Sequence, residues 1–226
     1  MVKQSSIKKM VVKFGGSSLA DHERMLKAAK AVVNESKKGT KLAVVVSAMG
    51  KTTDQLLTTA KNTSNGKLAK HELDDILSMG ERTSIRLFAS ALRNNGADAC
   101  YFDPMDDKWP IISDDNFQNA NPLVEECEKN VSQVILPLVE KGTIPVIAGF
   151  IGKTKDGKIT TLGRGGSDTT AFLMGLGIKA DQIVLVTDAE GIMTSDPKII
   201  ASPKLLPTID VNTLVGLADS GAKFIH

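Results

Sequence analysis

Short apolar runs alternate with segments of helical periodicity along this chain, and this alternation constrains the fold more than any other feature. Apolar residues recur at helical spacing after Asp21, and Gly39 ends that segment. The apolar runs are short and continuous, as in buried strands; they lie at 10–14, 42–46, 144–148 and 183–186. Strands that alternate with helices predict an α/β fold, with a mostly parallel sheet sandwiched between helices.

Further elements are predicted between and beside these strands. The turn at Asp156-Gly157 predicts a hairpin, and Pro137 predicts a bend or break in a long helix at 122–141. Residues 103–121 are rich in Asp, Asn and Pro and predict an irregular excursion. The other predicted helices lie near 53–61, 67–78 and 81–94, and the shorter strands near 97–102 and 111–112.

The composition narrows the class of protein. The 226 residues are 42% hydrophobic, which is enough for a sizeable core in one domain, or in one domain with a lobe. The net charge is +2 and no basic face is interleaved with aromatic residues, so no nucleic-acid partner is expected. No apolar stretch reaches the ~20 residues of a membrane span, so no membrane partner is expected either. Cys100 and Cys127 lack paired spacing, which predicts a soluble protein of the reducing cytoplasm. The histidines are scattered, and no metal site is predicted from them.

The segment TTLGRGGSDTTA, at 160–171, is the strongest candidate for a ligand site. It lies between a predicted strand and a predicted helix, and its glycines let backbone N–H groups approach an anion. Arg164 adds a planar fork suited to a carboxylate or phosphate, in a chain with five arginines and 23 lysines. A glycine-rich turn with a solvated arginine is the alternative. The dinucleotide fingerprint is excluded, because Asp168 stands where its third glycine would be.

Two other predicted strands are followed by residues that could contact a ligand. Lys13 lies at the end of the first strand and precedes Gly15 and Gly16, so a cation accompanies exposed N–H groups, which suits a phosphate. An ordinary strand-to-helix turn is the alternative there. Ser47 follows the second strand, and with Thr53 it could hydrogen-bond a small polar substrate or cap the next helix.

The remaining candidates are weaker individually. The Gly-Lys-Thr at 50–52 is not a P-loop, because the glycine required five residues earlier is absent. Glu81 is predicted to begin an amphipathic helix, where a glutamate ordinarily complements the helix dipole. Thr187 and Asp188 follow the last predicted strand. Ligands of α/β proteins bind at the carboxyl ends of the strands, so four strands ending in such residues predict one site at that edge.

These motifs resemble, in order and along nearly the whole chain, the aspartate kinases (aspartokinases) of the amino-acid kinase family. The matching stretches are KFGGSS at 13–18, SAM at 47–49, GE at 80–81, the glycine-rich segment at 160–171, TD at 187–188, DP at 196–197 and GAK at 221–223. The resemblance implies that residues 1–226 form an amino-acid kinase catalytic domain. We expect that domain to be truncated at its C-terminus and this chain to carry no ACT regulatory domains.

The resemblance also implies a reaction. ATP, with Mg²⁺, would phosphorylate the side-chain carboxylate of L-aspartate early in lysine, threonine and methionine biosynthesis, in a homo-oligomer such as a dimer. Lys13 and Asp168 would be catalytic, with Asp168 orienting Lys13. The residues implied to hold aspartate are Ser47, Thr53, Glu81 and Arg164. The residues implied to hold the nucleotide are Lys13, Gly15, Gly16, Thr187, Asp188, Met193, Lys198 and Lys223.

The predicted site residues fit phosphorylation of aspartate, and they also leave other functions open. A carboxylate is already ionised at pH 7, so this nucleophile needs no general base. Arg164 can pair with the α-carboxylate of aspartate and Glu81 with its ammonium, which an N-acylated acid lacks. The alternatives are a kinase of the same fold acting on glutamate, carbamate or a nucleoside monophosphate, and a non-catalytic nucleotide-binding fragment.

Overall fold

The structure, a computed structural model, describes residues 8–188, 191, 204–206 and 208–210. It divides into two units, residues 1–186 and residues 187–226. The first unit contains all the helices and strands given below. In the second unit, the side chains of Thr187 and Asp188 share a hydrogen bond of 3.2 Å, and Gly191 lies close to Leu205.

A parallel sheet forms the centre of the first unit. The strands in the described part of the chain are β1 (Lys9–Phe14), β2 (Lys41–Val46), β3 (Ala99–Phe102), β4 (Ile144–Ala148), β5 (Ile151–Lys153), β6 (Ile159–Thr161) and β7 (Gln182–Val186). The main sheet has the order β3-β4-β2-β1-β7, with every neighbouring pair parallel. The strands β5 and β6 form a separate antiparallel hairpin.

Helices connect these strands. They are α1 (His22–Lys37), α2 (Thr52–Thr63), α3 (Lys70–Asn94), α4 (Val124–Asn130), α5 (Leu136–Lys141) and α6 (Gly166–Ile178). Asp21 caps α1 by accepting a hydrogen bond of 2.8 Å from the Arg24 N–H. Gly39 follows the helix with a φ of +93°, a conformation that glycine adopts without the steric cost of a side chain.

Side-chain alternation along β1 shows how helices cover both faces of the sheet. Successive residues of a strand point to opposite faces. Phe14 packs against Phe88 of α3, with ring centroids 5.3 Å apart, whereas Lys13 pairs with Asp168 of α6. The helices α3 and α6 therefore lie on opposite sides of β1, which confirms the predicted sandwich. The apolar core fills both interfaces, and Val44 at the centre of β2 is fully buried.

The register of the sheet brings four strand ends to one level. Phe14 of β1 lies beside both Val46 of β2 and Val186 of β7, and Val46 lies beside Ala148 of β4. Because parallel strands end together here, the residues that follow β1, β2 and β4 begin their loops at one edge of the sheet. This edge is the predicted location of the ligand site.

Two predictions about local structure were wrong. The helices predicted at 67–78 and 81–94 are one continuous helix, α3, in which Gly80 is an interior residue. Of the strand predicted at 111–112, only Ile112 forms a β-bridge, with Lys153.

The long helix predicted at 122–141 is interrupted, as its proline suggests. A π-helical segment, Val131–Ile135, separates α4 from α5, and Pro137 lies in the first turn of α5. Proline lacks the N–H that would continue the α-helical hydrogen bonds, so the wider turn precedes it. The predicted hairpin at Asp156-Gly157 is confirmed by the pairing of β5 with β6.

Candidate active site at the carboxyl edge of the sheet

An ion pair joins the end of β1 to the helix α6, which packs on one face of the sheet. Lys13 Nζ lies 2.7 Å from Asp168 Oδ1, and the two side chains are only 13% and 11% exposed. Asp168 belongs to the first turn of α6, directly after the glycine-rich segment. The structure thus brings together the two residues predicted to be catalytic, although they are 155 positions apart in the sequence.

The loop after β1 presents free backbone donors close to this lysine. The N–H groups of Gly16 and Ser17 donate to no acceptor in the described part of the chain. The Gly15 N–H is occupied, because it donates to the Val186 carbonyl over 3.1 Å. Two adjacent unpaired N–H groups beside a lysine form the kind of concave donor site that binds an anion.

Close packing explains the second glycine of this loop. A Cβ on Gly16 would lie 2.9 Å from the Ala48 carbonyl oxygen and 3.1 Å from that of Gly50. The loops that follow β1 and β2 are also joined by a hydrogen bond of 3.0 Å from the Gly50 N–H to the Gly16 carbonyl. A side chain at position 16 would therefore force these two loops apart.

Glu81 reaches the same edge from the middle of α3. Its Oε1 accepts a hydrogen bond of 3.0 Å from the Ala48 N–H, in the loop after β2. Gly80 permits this contact, because a Cβ there would lie 2.8 Å from the Ala48 side chain; Thr53 lies on the same side of Gly80. The prediction that Glu81 begins a helix was wrong, and its role as a dipole-complementing residue is excluded by its interior position.

The second carboxylate oxygen of Glu81 has no partner among the residues that the structure describes. Oε2 is buried and forms no hydrogen bond with the described residues. Burial raises the pKa of Glu81 from 4.5 to about 7, although the Ala48 N–H acts in the opposite direction. A buried carboxylate with one free oxygen is a favourable partner for a cationic group of a ligand.

The glycine-rich segment folds back over the end of β4. Ser167 fills the space beside Gly149, where a Cβ would lie 2.6 Å from its hydroxyl oxygen. The Ser47 hydroxyl donates to the Ser167 hydroxyl over 3.0 Å, so this segment contacts the loop after β2. Arg164 is exposed and forms no hydrogen bond or ion pair with another described residue. Its guanidinium group is available for a ligand.

The structure therefore gathers most of the predicted site residues. Those at this edge are Lys13, Gly15, Gly16, Ser47, Thr53, Glu81, Arg164 and Asp168. Thr187 and Asp188 are described in the second unit, and the predicted nucleotide contacts Met193, Lys198 and Lys223 lie outside the described residues. Among the residues described, no three His, Cys, Asp or Glu side chains form a cluster that could hold a metal ion. No described helix is long and apolar enough to span a membrane.

Sequence reasoning missed two residues near this site. Ser167 was within the glycine-rich segment, and its position at the start of a helix was the signal that could have identified it. Asp74 gave no such signal, because one aspartate in a polar stretch of helix is ordinary. In the structure Asp74 is fully buried and accepts hydrogen bonds from Gln118 and Thr161.

Comparison with known proteins agrees with the fold. The profile of the "Amino acid kinase family" matches residues 8–226. The chain belongs to the amino acid kinase family. It is 41% identical over 219 residues to an aspartokinase of Bacillus sp. (strain MGA3), covering 96% of this chain and 51% of that protein. It is 38% identical over 217 residues to aspartokinase 2 of Bacillus subtilis (strain 168), with the same coverage of both chains.

A solved aspartokinase structure is similar in fold to this chain. Aspartokinase III of E. coli, in complex with aspartate and ADP, aligns with a TM-score of 0.83 and 26% sequence identity. The alignment covers 97% of this chain and 58% of that chain. This chain spans about half the length of the aspartokinases it matches.

Proposed function

We propose that this protein transfers the γ-phosphoryl group of ATP to the side-chain carboxylate of L-aspartate, giving 4-phospho-L-aspartate and ADP. The observation that carries the proposal is the buried Glu81, whose free Oε2 suits the ammonium of an unblocked amino acid. It lies at the same edge as a lysine and two unpaired N–H groups, which suit phosphate. The similarity to aspartokinases supports the same assignment.

The described residues fit a nucleotide phosphate chain at the end of β1. Lys13 supplies a positive charge, and the Gly16 and Ser17 N–H groups supply donors without displacing an existing hydrogen bond. Gly15 contributes by being small, because its own N–H is occupied. We assign the other nucleotide contacts to Thr187, Asp188, Met193, Lys198 and Lys223 on the family resemblance alone.

Mg²⁺ is part of this proposal. Magnesium is commonly held by one or two carboxylates together with substrate phosphates, so a site without a dedicated acidic cluster fits it. Asp168 is the acidic group that the described part of the chain places beside Lys13. A bound Mg²⁺ would neutralise charge on the phosphates.

Aspartate would be recognised through both of its backbone charges. Arg164 would bind the α-carboxylate through its planar fork, and Glu81 would bind the ammonium. Ser47 and Thr53 would hydrogen-bond the substrate between these two groups. The side-chain carboxylate would then be free to attack the γ-phosphorus, as the bond from that phosphorus to the bridging oxygen of ADP breaks.

Little further chemistry is required of the protein. The nucleophile is already ionised, so the site needs positioning and positive charge rather than a general base. Lys13 would stabilise the charge on the transferring phosphoryl group, and Asp168 would orient Lys13. The need for positioning and positive charge fits this site, in which close backbone packing places the loops and the Lys13–Asp168 ion pair holds the lysine.

The wider setting is also proposed. The reaction would lie early in lysine, threonine and methionine biosynthesis, and residues 1–226 would contribute the catalytic domain. A cytoplasmic location is supported by Cys100 and Cys127, which are both free thiols in the structure. A homo-oligomer, such as a dimer, stays a prediction.

Binding of candidate acceptors tests the proposal against its alternatives. Calorimetric titrations with ADP and Mg²⁺ present should show binding of L-aspartate and no binding of N-acetyl-L-aspartate, which lacks the ammonium. Glutamate, carbamate and a nucleoside monophosphate complete the panel. Preferential binding of one of these three would reassign the substrate, and binding of nucleotide without any acceptor would favour a non-catalytic module.

A further inference from the structure

Asp74 forms a buried junction between α3, the excursion at 103–121 and the strand β6. Its Oδ2 accepts hydrogen bonds from the Gln118 N–H, at 2.8 Å, and from the Thr161 N–H, at 3.0 Å. Its Oδ1 accepts a third hydrogen bond, of 2.9 Å, from the Thr161 hydroxyl. One fully buried side chain thus joins three segments that are 44 and 87 positions apart.

Each of these segments leads directly to the active site. Thr161 is the last residue of β6 and lies within the glycine-rich segment, two residues before its first glycine, Gly163. Asp74 lies seven residues before Glu81 in α3, two helical turns away and on the same side of the helix. Asp74 is therefore fixed to both the helix that carries Glu81 and the strand that delivers Arg164.

The excursion at 103–121 also contacts the start of the glycine-rich segment. The Thr161 carbonyl accepts a hydrogen bond of 2.9 Å from the Ala120 N–H. Asn119 fills the space beside Gly163, because a Cβ on Gly163 would clash with the Asn119 Oδ1 atom. With Asp74 bound to its N–H and hydroxyl, Thr161 has all its polar groups occupied. The start of the glycine-rich segment is held from both sides.

Gln118 shows that this junction is under local constraint. Its φ of +74° lies in the left-handed region, which is unfavourable for a residue with a side chain. Such conformations persist only where the surrounding structure fixes them. The hydrogen bond from Gln118 N–H to Asp74 is the contact on that residue that would hold this conformation.

We propose that Asp74 is a positioning residue for substrate binding, which holds the glycine-rich segment and the Glu81 helix in the relative geometry that aspartate requires. It acts through Thr161 and Gln118 and touches neither substrate. The inference rests on the proposed function for its kinetic readout, and on the described contacts alone for its structural readout.

Two variants of Asp74 separate this role from a general contribution to stability. Asp74→Ala removes both acceptor oxygens, and with them all three hydrogen bonds, and leaves the N–H groups of Gln118 and Thr161 without this partner. Asp74→Asn keeps one oxygen for the two N–H groups, and its amide can donate to the Thr161 hydroxyl. Val139→Ala is the matched control for lost stability, because Val139 is fully buried in α5, which lies outside this junction.

The expected results differ between the variants. A misplacement of about 1 Å can cost as much as ~100-fold in rate, so Asp74→Ala should raise KM for aspartate about tenfold or more and leave KM for ATP almost unchanged. Asp74→Asn should retain near wild-type KM values. Hydrogen exchange of residues 162–168 should accelerate in Asp74→Ala and stay at the wild-type rate in Asp74→Asn and Val139→Ala.

Two outcomes would overturn the inference. One is an Asp74→Ala protein, as destabilised as Val139→Ala, that keeps the wild-type aspartate KM and wild-type exchange in 162–168. The other is equal damage from Asn and Ala at position 74, which would make charge rather than hydrogen bonding decisive. If the wild-type protein binds no aspartate, the proposed function fails, and the exchange data alone still decide the structural role of Asp74.

Discussion

Lys13 Nζ lies 2.7 Å from Asp168 Oδ1, and this pair joins the end of β1 to the first turn of α6. Strand alternation directs Lys13 to the α6 face of the sheet, while the next residue packs against α3. The carboxylate fixes the direction of a long, flexible side chain. The ammonium of Lys13 is therefore held beside the loop at Gly15 and Gly16 before any ligand binds.

We predict that Lys13→Ala nearly abolishes phosphoryl transfer while the protein stays folded. Loss of a preorganised group that stabilises transition-state charge commonly costs about 10²–10³ in kcat. Steady-state kinetics and circular dichroism would check both parts. Lys9→Ala is the matched control, because Lys9 lies on the same face at the other end of β1. Near wild-type kcat in a folded Lys13→Ala protein would remove Lys13 from the mechanism.

The titration of Glu81 predicts a pH dependence of aspartate binding. Burial raises the pKa of Glu81 to about 7, so the carboxylate form that can pair with an ammonium is lost as the pH falls through 7. KM for aspartate should rise by about tenfold per pH unit below 7. Glu81→Gln should bind aspartate weakly at every pH, with a flat profile. Glu140→Gln, an exposed site on α5, should keep the wild-type profile.

The same pKa predicts a change in stability with pH. Between 4.5 and about 7 the folded protein binds the Glu81 proton and the unfolded chain does not. The free energy of unfolding should therefore fall as the pH rises through this interval, by about 3 kcal/mol at most. Denaturant titrations of wild type and Glu81→Gln at pH 5 and pH 8 would measure the difference. A wild-type advantage that grows with pH would contradict the assignment.

Substitution of Arg164 should affect aspartate and spare the fold. Arg164 is exposed and has no partner among the described residues, so Arg164→Ala should leave the melting temperature unchanged. KM for aspartate should rise far more than KM for ATP, and Arg164→Lys should restore little, because the planar fork is lost. Arg93→Ala, which removes a contact to the Ala99 carbonyl, is the control. Equal defects for both substrates would indicate general damage to the site.

The two glycines after β1 should respond differently to alanine. A Cβ on Gly16 would lie 2.9 Å from the Ala48 carbonyl, so Gly16→Ala should lower the melting temperature. A Cβ on Gly15 would meet its nearest atom, the Val186 carbonyl oxygen, at an ordinary 3.5 Å. Gly15→Ala should therefore fold normally and bind ATP more weakly, because the methyl group would lie beside Lys13. Calorimetry and thermal melts of the two variants provide the comparison, and reversed effects would contradict it.

The sequence predicts the fold well because its strongest signals are local. Continuous apolar runs marked the central strands to within a residue or two, since strands buried on both faces have few polar positions. Gly80 misled the prediction of α3, because glycine weakens a helix and reads as a break. In the structure Gly80 allows α3 to pack against Ala48, because a Cβ at position 80 would collide with the Ala48 side chain. This contact joins residues 32 positions apart, so no local sequence pattern indicates it.

The sequence motifs of the site could be predicted, but the side-chain contacts between distant segments could not. Lys13 and Arg164 were found because charged residues stood at a strand end or within glycine-rich sequence, whereas Glu81 was assigned to the site on the family resemblance. The contact of Ser47 with Ser167 depends on the glycine-rich segment folding back over the end of β4, which no local pattern indicates. Asp74 was missed for the same reason, since its importance comes from partners 44 and 87 positions away.

The most direct test of the central claim is to identify the product of the reaction. The protein is incubated with ATP, Mg²⁺ and L-aspartate, and hydroxylamine traps the acyl phosphate as a hydroxamate that mass spectrometry identifies. The account predicts the side-chain hydroxamate of aspartate, formed with one ADP for each molecule and absent with Lys13→Ala. Hydroxamate formation from another acceptor in preference to aspartate, or wild-type product levels from Lys13→Ala, would contradict it.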